Sequence, residues 1–136
     1  MVPFTLTYRG ELRCELTHGP SKATIITDAP VDNHGKGESF SPTDLVASGL
    51  GVCMATVMGI TATRAGVRLD GLTAQIEKHM TSAPPRRIAR IVVRFAMPAG
   101  IPAQTRPVLE KAAHTCPVAL SLHPEVVQDV SFGYAD

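Results

Sequence analysis

The sequence predicts an α+β domain with elements in the order βββ-α-ββ-αα-β, and three observations carry that prediction. Apolar and polar residues alternate, as in half-buried strands, both before Asp28 and again between Leu72 and Met97. Between these regions lies Leu45 to Thr63, 19 residues without a charged side chain, too long for a strand and flanked by helix start and stop signals. Prolines at 107 and 117 then open two further helical segments before a last alternating run.

The first strand is marked by Phe4, Leu6 and Tyr8, and the second by Leu12, Cys14 and Leu16 alternating with Glu11, Arg13 and Glu15, with Gly10 as the turn between them. Ala23 to Thr27, rich in β-branched residues after the turn His18-Gly19-Pro20-Ser21, completes a meander. Asp28 to Phe40 has no periodicity and many turn formers, so it is a long loop of the kind that often carries function. Ser41-Pro42-Thr43-Asp44 combines a capping serine, a proline preset for the first turn and an acid three residues after the cap. Arg64-Ala65-Gly66 supplies the stop. Leu72 to Met80 and Ala89 to Met97 form a hairpin around Ser82-Ala83-Pro84-Pro85. Helices follow from Arg106 to His114 and from Pro117 to Leu122, then a strand from Val126 to Tyr134 with Val130, Phe132 and Tyr134 on one face.

Composition narrows the function. The chain has 136 residues, with 13 Lys and Arg against 12 Asp and Glu, 44% hydrophobic and 18% charged residues, which fits one globular domain over residues 1–136 and excludes disorder. Near-neutral charge argues against nucleic acid. The densest basic group, Arg86, Arg87, Arg90 and Arg94, alternates along a strand as a solvated sheet face does. No basic region followed by an apolar core opens the chain, so no secretory signal is expected, and a reducing cytoplasm fits three scattered cysteines without a Cys-x-x-Cys pair. Leu45 to Thr63 meets the length test for a membrane span, but its threonines, serine and glycines lower its hydropathy. It is better read as a central helix, apolar on nearly every face, that must be surrounded. A six-stranded sheet covers only one side of such a helix. A homodimer is therefore expected, with Ala47, Ser48, Gly49 and Gly51 allowing close approach.

Chemistry centres on the cysteines. Cys116 precedes Pro117 and would cap a short helix whose free amides point at its sulfur, which lowers a thiol pKa. It is either a reactive thiol or a small buried residue ending a helix. Cys53, in the middle of the long helix among small residues, reads in isolation as core, as does Cys14 between Leu12 and Leu16. His114 could assist a thiol at 116 or simply complement a helix end. Glu77 could hold an arginine or lie on a solvated strand face. His34, in Asp32-Asn33-His34-Gly35, could cover a site or decorate a turn.

Ser41-Pro42-Thr43-Asp44-Leu45 with Leu50-Gly51-Val52-Cys53-Met54, and then Thr115-Cys116-Pro117-Val118-Ala119-Leu120, resemble the two cysteine signatures of the OsmC/Ohr family of osmotically inducible and organic hydroperoxide resistance proteins. The resemblance covers nearly the whole chain in length, element order and cysteine separation. It implies an intertwined homodimer that reduces organic hydroperoxides, with Cys53 as peroxidatic thiol and Cys116 as resolving thiol. It also implies an external dithiol reductant, dihydrolipoyl groups among the options, and no metal or organic cofactor. The family's better-defined members stabilise the thiolate with an N-terminal arginine held by a glutamate ten positions before the helix cysteine. Here that position is Thr43. Asp44 could substitute, although it also fits the role of capping acid and lies about 100° around the helix. Arg13 is the nearest match for the arginine, with Arg9 behind it, and an exposed strand arginine facing Glu11 and Glu15 is the alternative. Two readings of other classes stay open: a non-catalytic dimer holding a small hydrophobic ligand, and a metal site on Cys53, Cys116 and His114.

Overall fold

The structure is a computed structural model and describes residues 1–135, which divide into two compact units, Met1–Val46 and Ala47 onward. In the first unit β1 (Phe4–Gly10), β2 (Arg13–His18) and β3 (Thr24–Asp28) form an antiparallel sheet in that order, the expected meander. The chain turns between β1 and β2 through Gly10, Glu11 and Leu12, all in the left-handed region. The loop after β3 contains one 3-10 turn, Val31–Asn33, and is tied back on itself. The Asp28 amide donates to the Phe40 carbonyl at 3.1 Å, Gly37 N–H to Ala29 at 3.2 Å, and the Ser39 hydroxyl to the Ile26 carbonyl at 2.7 Å. Only glycine fits at 35, because a Cβ there would lie 1.7 Å from the Ala29 carbonyl oxygen.

Helix α1 (Pro42–Arg64) starts and stops as its sequence requires. Ser41 and Asp44 form a reciprocal capping box: the Ser41 amide donates to Asp44 Oδ2 at 2.8 Å, and the Asp44 amide to Ser41 Oγ at 3.1 Å. At the other end Val67 N–H reaches the Ala62 carbonyl at 2.8 Å and Gly66 N–H that of Thr63 at 3.1 Å, with Gly66 at φ +70°. This double bond pattern closes the helix and needs the left-handed residue that glycine supplies. By length and composition alone α1 could cross a membrane. In the structure one stripe of it, Ala47, Leu50, Gly51, Met54, Met58 and Ala62, is buried, while Val46, Val52 and Ile60 are exposed. A single chain therefore surrounds only one side of the helix. Two of the small residues expected at a subunit contact, Ala47 and Gly51, belong to that buried stripe, and a Cβ on Gly51 would meet Ile76 Cδ1 at 2.5 Å.

The second unit holds β4 (Thr73–Met80), β5 (Ile88–Met97), α2 (Arg106–His114), α3 (Pro117–Ser121) and β6 (Val127–Tyr134). The single six-stranded sheet expected from the sequence is corrected to two sheets of three, because neighbouring strands in the chain satisfy one another's ladders first. In the second sheet β5 is central, antiparallel to β4 and parallel to β6, with α2 and α3 forming the crossover. Ile91, Val93, Phe95 and Met97 of β5 join Leu50, Met54, Met58, Leu109 and Ala113 in the core. Each fully buried side chain of this size contributes about 1.5–3 kcal/mol. The strand arginines lie at the surface as expected, paired: Arg94 with Glu77 at 2.6 Å, Arg87 with Glu125 at 3.2 Å, and Arg90 with Asp129.

Candidate active site

Cys116 stands where α2 has ended and α3 begins. Its amide donates to the Ala113 carbonyl at 3.3 Å, its backbone is extended, and its sulfur accepts the Ala119 N–H at 3.4 Å. The helix-cap geometry is the one its Pro117 predicts. Its effect on acidity is not. Burial, with Cys116 0% exposed, pushes the thiol above its ordinary range; the amides of Ala119 and Val118 pull the other way, while the neighbouring Cys53 side chain raises it further. The expected lowering of the Cys116 pKa is thus corrected, because desolvation outweighs two amide donors.

Cys53 lies close enough to Cys116 to raise the Cys116 pKa, and both thiols are free. One turn of α1 places Leu50 and Met54 on the buried stripe, and Cys53 falls at the stripe's margin, about 100° from Met54. It is accordingly half-buried, not the closed core residue its position in isolation suggests. The pair thus joins a thiol that solvent can reach to one that it cannot. Among the described residues no group of three His, Cys, Asp or Glu could hold a metal, so Cys53, Cys116 and His114 do not form one. His114 is exposed and meets the Phe132 ring edge-on, with 5.8 Å between centroids.

Arg13 sits in the first unit in a polar cluster that sequence reasoning missed. Its cross-strand neighbour on β3 is Asp28, and its guanidinium lies 3.3 Å from Asp28 Oδ2 and 2.5 Å from Glu38 Oε2. The Glu11 and Glu15 partnership expected for it is corrected: Arg9 takes Glu15, and Lys36 approaches Glu11 at 3.8 Å. Strand pairing decides this, since Asp28 lies directly across the ladder from Arg13. Asp28 is 0% exposed, and a carboxylate there requires partners. The Glu38 amide, at 3.0 Å, does most to hold it below the usual carboxylate range, with Arg13 next, opposed by desolvation. The two acids in turn raise the Arg13 pKa. Asp44 serves the capping box, and the Thr43 hydroxyl lies 3.2 Å from that of Ser41.

The remaining candidates find bland places. Glu77 bonds Arg94 and His79 on an exposed strand face, which holds its carboxyl below the usual range. Cys14 lies half-buried on β2 opposite Tyr8 and Thr27, and His34 is an exposed loop residue in the left-handed region. Two clamps on α2 and α3 had no sequence signal beyond their polar side chains. Tyr134 donates to Glu110 at 2.9 Å with Arg106 over its ring, and burial, with help from Glu110, pushes its pKa to about 12. Gln128 donates to the Ala119 carbonyl at 2.9 Å.

A family model described as OsmC-like protein matches residues 35–131. A crystal structure from Psychrobacter arcticus, of a candidate osmotic stress induced and detoxification response protein, is 42% identical with a TM-score of 0.92, covering 97% of this chain and 96% of that one. An organic hydroperoxide resistance protein OsmC from Legionella pneumophila is 16% identical with a TM-score of 0.76, over 98% and 96% of the two chains. One from Elizabethkingia anophelis is 13% identical with a TM-score of 0.78, over 99% and 96%; at such identities these two share the fold. No curated protein gives a match. The family model spans most of the chain and the Psychrobacter protein nearly all of it, with both thiols inside the matched residues: this chain belongs to the OsmC-like family.

Proposed function

We propose that the chain reduces organic hydroperoxides with a two-cysteine cycle. The observation that carries this is the juxtaposition of a half-exposed Cys53 with a buried, amide-capped Cys116. The Cys53 thiolate attacks the terminal O–O bond of ROOH, giving Cys53–SOH and, after protonation, ROH. The Cys116 sulfur then displaces hydroxide from the sulfenic sulfur, forming the Cys53–Cys116 disulfide and water. An external dithiol, such as a dihydrolipoyl group, returns both thiols and becomes a disulfide itself. A thiol that solvent reaches is the one to meet peroxide, and a shielded neighbour is the one to trap its oxidised form before further oxidation. The hydroperoxide resistance named for the Legionella and Elizabethkingia relatives agrees with this substrate class.

We assign Asp44 to support of the helix that carries Cys53, through its capping box with Ser41, while Arg13 stays with Asp28 and Glu38 inside the first unit. The working state is a homodimer in a reducing compartment such as the cytoplasm. Its support is the apolar surface a lone chain leaves open: Phe4, Leu6 and Tyr8 are 63%, 61% and 60% exposed, and Val52 on α1 is 63% exposed. Light scattering should return twice the 14.4 kDa chain mass, and a monomer would contradict the dimer.

Peroxide consumption tests the cycle. With cumene hydroperoxide and a reduced lipoyl donor, Cys53→Ser should fall to the rate of buffer alone. Cys116→Ser should complete about one turnover and stall. Unchanged turnover in Cys53→Ser would overturn the proposal.

A further inference from the structure

We propose that Gln128 is a positioning residue for the closing of the Cys53–Cys116 disulfide: from β6 it fixes α3 and thereby the amides that cup the Cys116 sulfur. This rests on the assignment of Cys116 as the second thiol of the cycle.

Helix α3 has five residues, Pro117–Ser121, too few to hold a conformation by itself. Four carbonyls at a helix end have no partner within the helix, so in α3 nearly every carbonyl needs one from elsewhere. The Cys116 carbonyl accepts from Leu120 N–H at 3.1 Å and that of Val118 from Leu122 N–H at 3.2 Å; the Ser121 hydroxyl reaches Pro117 at 2.7 Å. These bonds are all local and would survive if the turn swung as a body. The bond from Gln128 Nε2 to the Ala119 carbonyl is different, because it comes from another element nine residues on. Gln128 pairs across the ladder with Ile91, which is 0% exposed on the central strand, so its backbone is anchored to the core sheet and not to α3.

Ala119 is also the residue whose N–H meets the Cys116 sulfur at 3.4 Å. Gln128 therefore holds the carbonyl of the same residue whose amide faces the thiol. The consequence belongs to the second step. Attack on an oxidised Cys53 needs Cys116 as a thiolate and aimed along the bond to the leaving group. Burial opposes that ionisation, so the amides matter more here than at an exposed thiol. Loosening α3 should slow disulfide closure and leave the first attack by Cys53 alone, since Cys53 is carried by α1.

A mixed-disulfide assay separates the two steps without hydroperoxide. In a Cys14→Ser background, Cys53 attacks dithiobis(nitrobenzoate), releasing one thionitrobenzoate and keeping the other in disulfide linkage. Cys116 then displaces the second from the Cys53 sulfur, forming the intramolecular disulfide. We expect Gln128→Met, which keeps the volume and removes the donor, to slow the second release about tenfold, with the first within about twofold of its parent. Gln128→Glu, which turns an acceptor toward the carbonyl, should slow the second release at least as much and serves as the test if the methionine variant does not fold. A second release within about twofold of the parent in both variants, or equal slowing of both phases, overturns the proposal. Because no peroxide is used, a chain that fails to consume hydroperoxide can still show the split, and a peroxidase that lacks it loses only the role of Gln128.

Discussion

The two compact units are held together by different forces. In Met1–Val46 the buried residues are Thr27, Asp28 and Ser41, all polar, and the organising contacts are the Arg13–Asp28–Glu38 cluster, the loop hydrogen bonds and the capping box. From Ala47 onward the buried side chains are apolar, running from Leu50 and Met54 through Ile91 and Val93 to Leu109 and Cys116. One unit is specified by direction and charge, the other by packing. Cys53 and Cys116 lie in the packed unit, Cys53 on α1 and Cys116 between α2 and α3, both against its core. The polar unit has its apolar strand residues still exposed, and its fully buried carboxylate, Asp28, ties its stability to pH.

Substitutions should divide along that line. The largest effect is expected at Leu109→Ala, which empties a fully buried site and should cost about 2–5 kcal/mol in denaturant unfolding. A smaller value would mean the packed unit is looser than its core suggests. Acid should reveal the other half. The folded pKa of Asp28 lies below its ordinary 3.8, so its contribution is fully present above that value and is lost as pH falls through the depressed folded pKa. An NMR titration should show the Glu38 amide, which donates to Asp28, shifting with a midpoint below the ordinary 3.8, and Asp28→Asn should abolish that response and loosen the loop. A shift at the ordinary carboxyl midpoint would contradict the cluster. Removing the cap hydroxyl in Ser41→Ala should cost about 1 kcal/mol, read as a lower denaturation midpoint at unchanged slope. Smallest of all, Gly49→Ala should change stability by no more than about 1 kcal/mol, since a Cβ there meets nothing within 4 Å and helix propensity favours it. A loss accompanied by a shift to monomer would place Gly49 in the subunit contact.

Much of this molecule could be read from its residues, and what could not has physical reasons. The start of α1 was legible because Ser41, Pro42 and Asp44 act locally, and its end because Gly66 must be left-handed. Arg106–His114 matched to the residue because proline and a histidine near a C-terminus bracket a short helix. The pairing of β6 parallel to β5 was not legible, since alternation marks a strand's faces and not its direction. The motifs singled out Cys53 and Cys116, but burial, which reverses the expected shift at Cys116, is a property of the packed unit as a whole. Asp28 and Glu38 carried no signal, because an acid in a turn-rich loop looks the same whether it faces water or an arginine. Gln128 escaped for a similar reason, its partner being a backbone carbonyl that no sequence pattern marks.

The central claim is that oxidation at one sulfur ends as a bond to the other. Treating the reduced protein with a single equivalent of cumene hydroperoxide and mapping its thiols by peptide mass spectrometry tests it most directly. We expect one intramolecular disulfide joining Cys53 to Cys116, with Cys14 still a thiol. Untouched thiols, or Cys53 driven to sulfinic acid beside an intact Cys116, would contradict it.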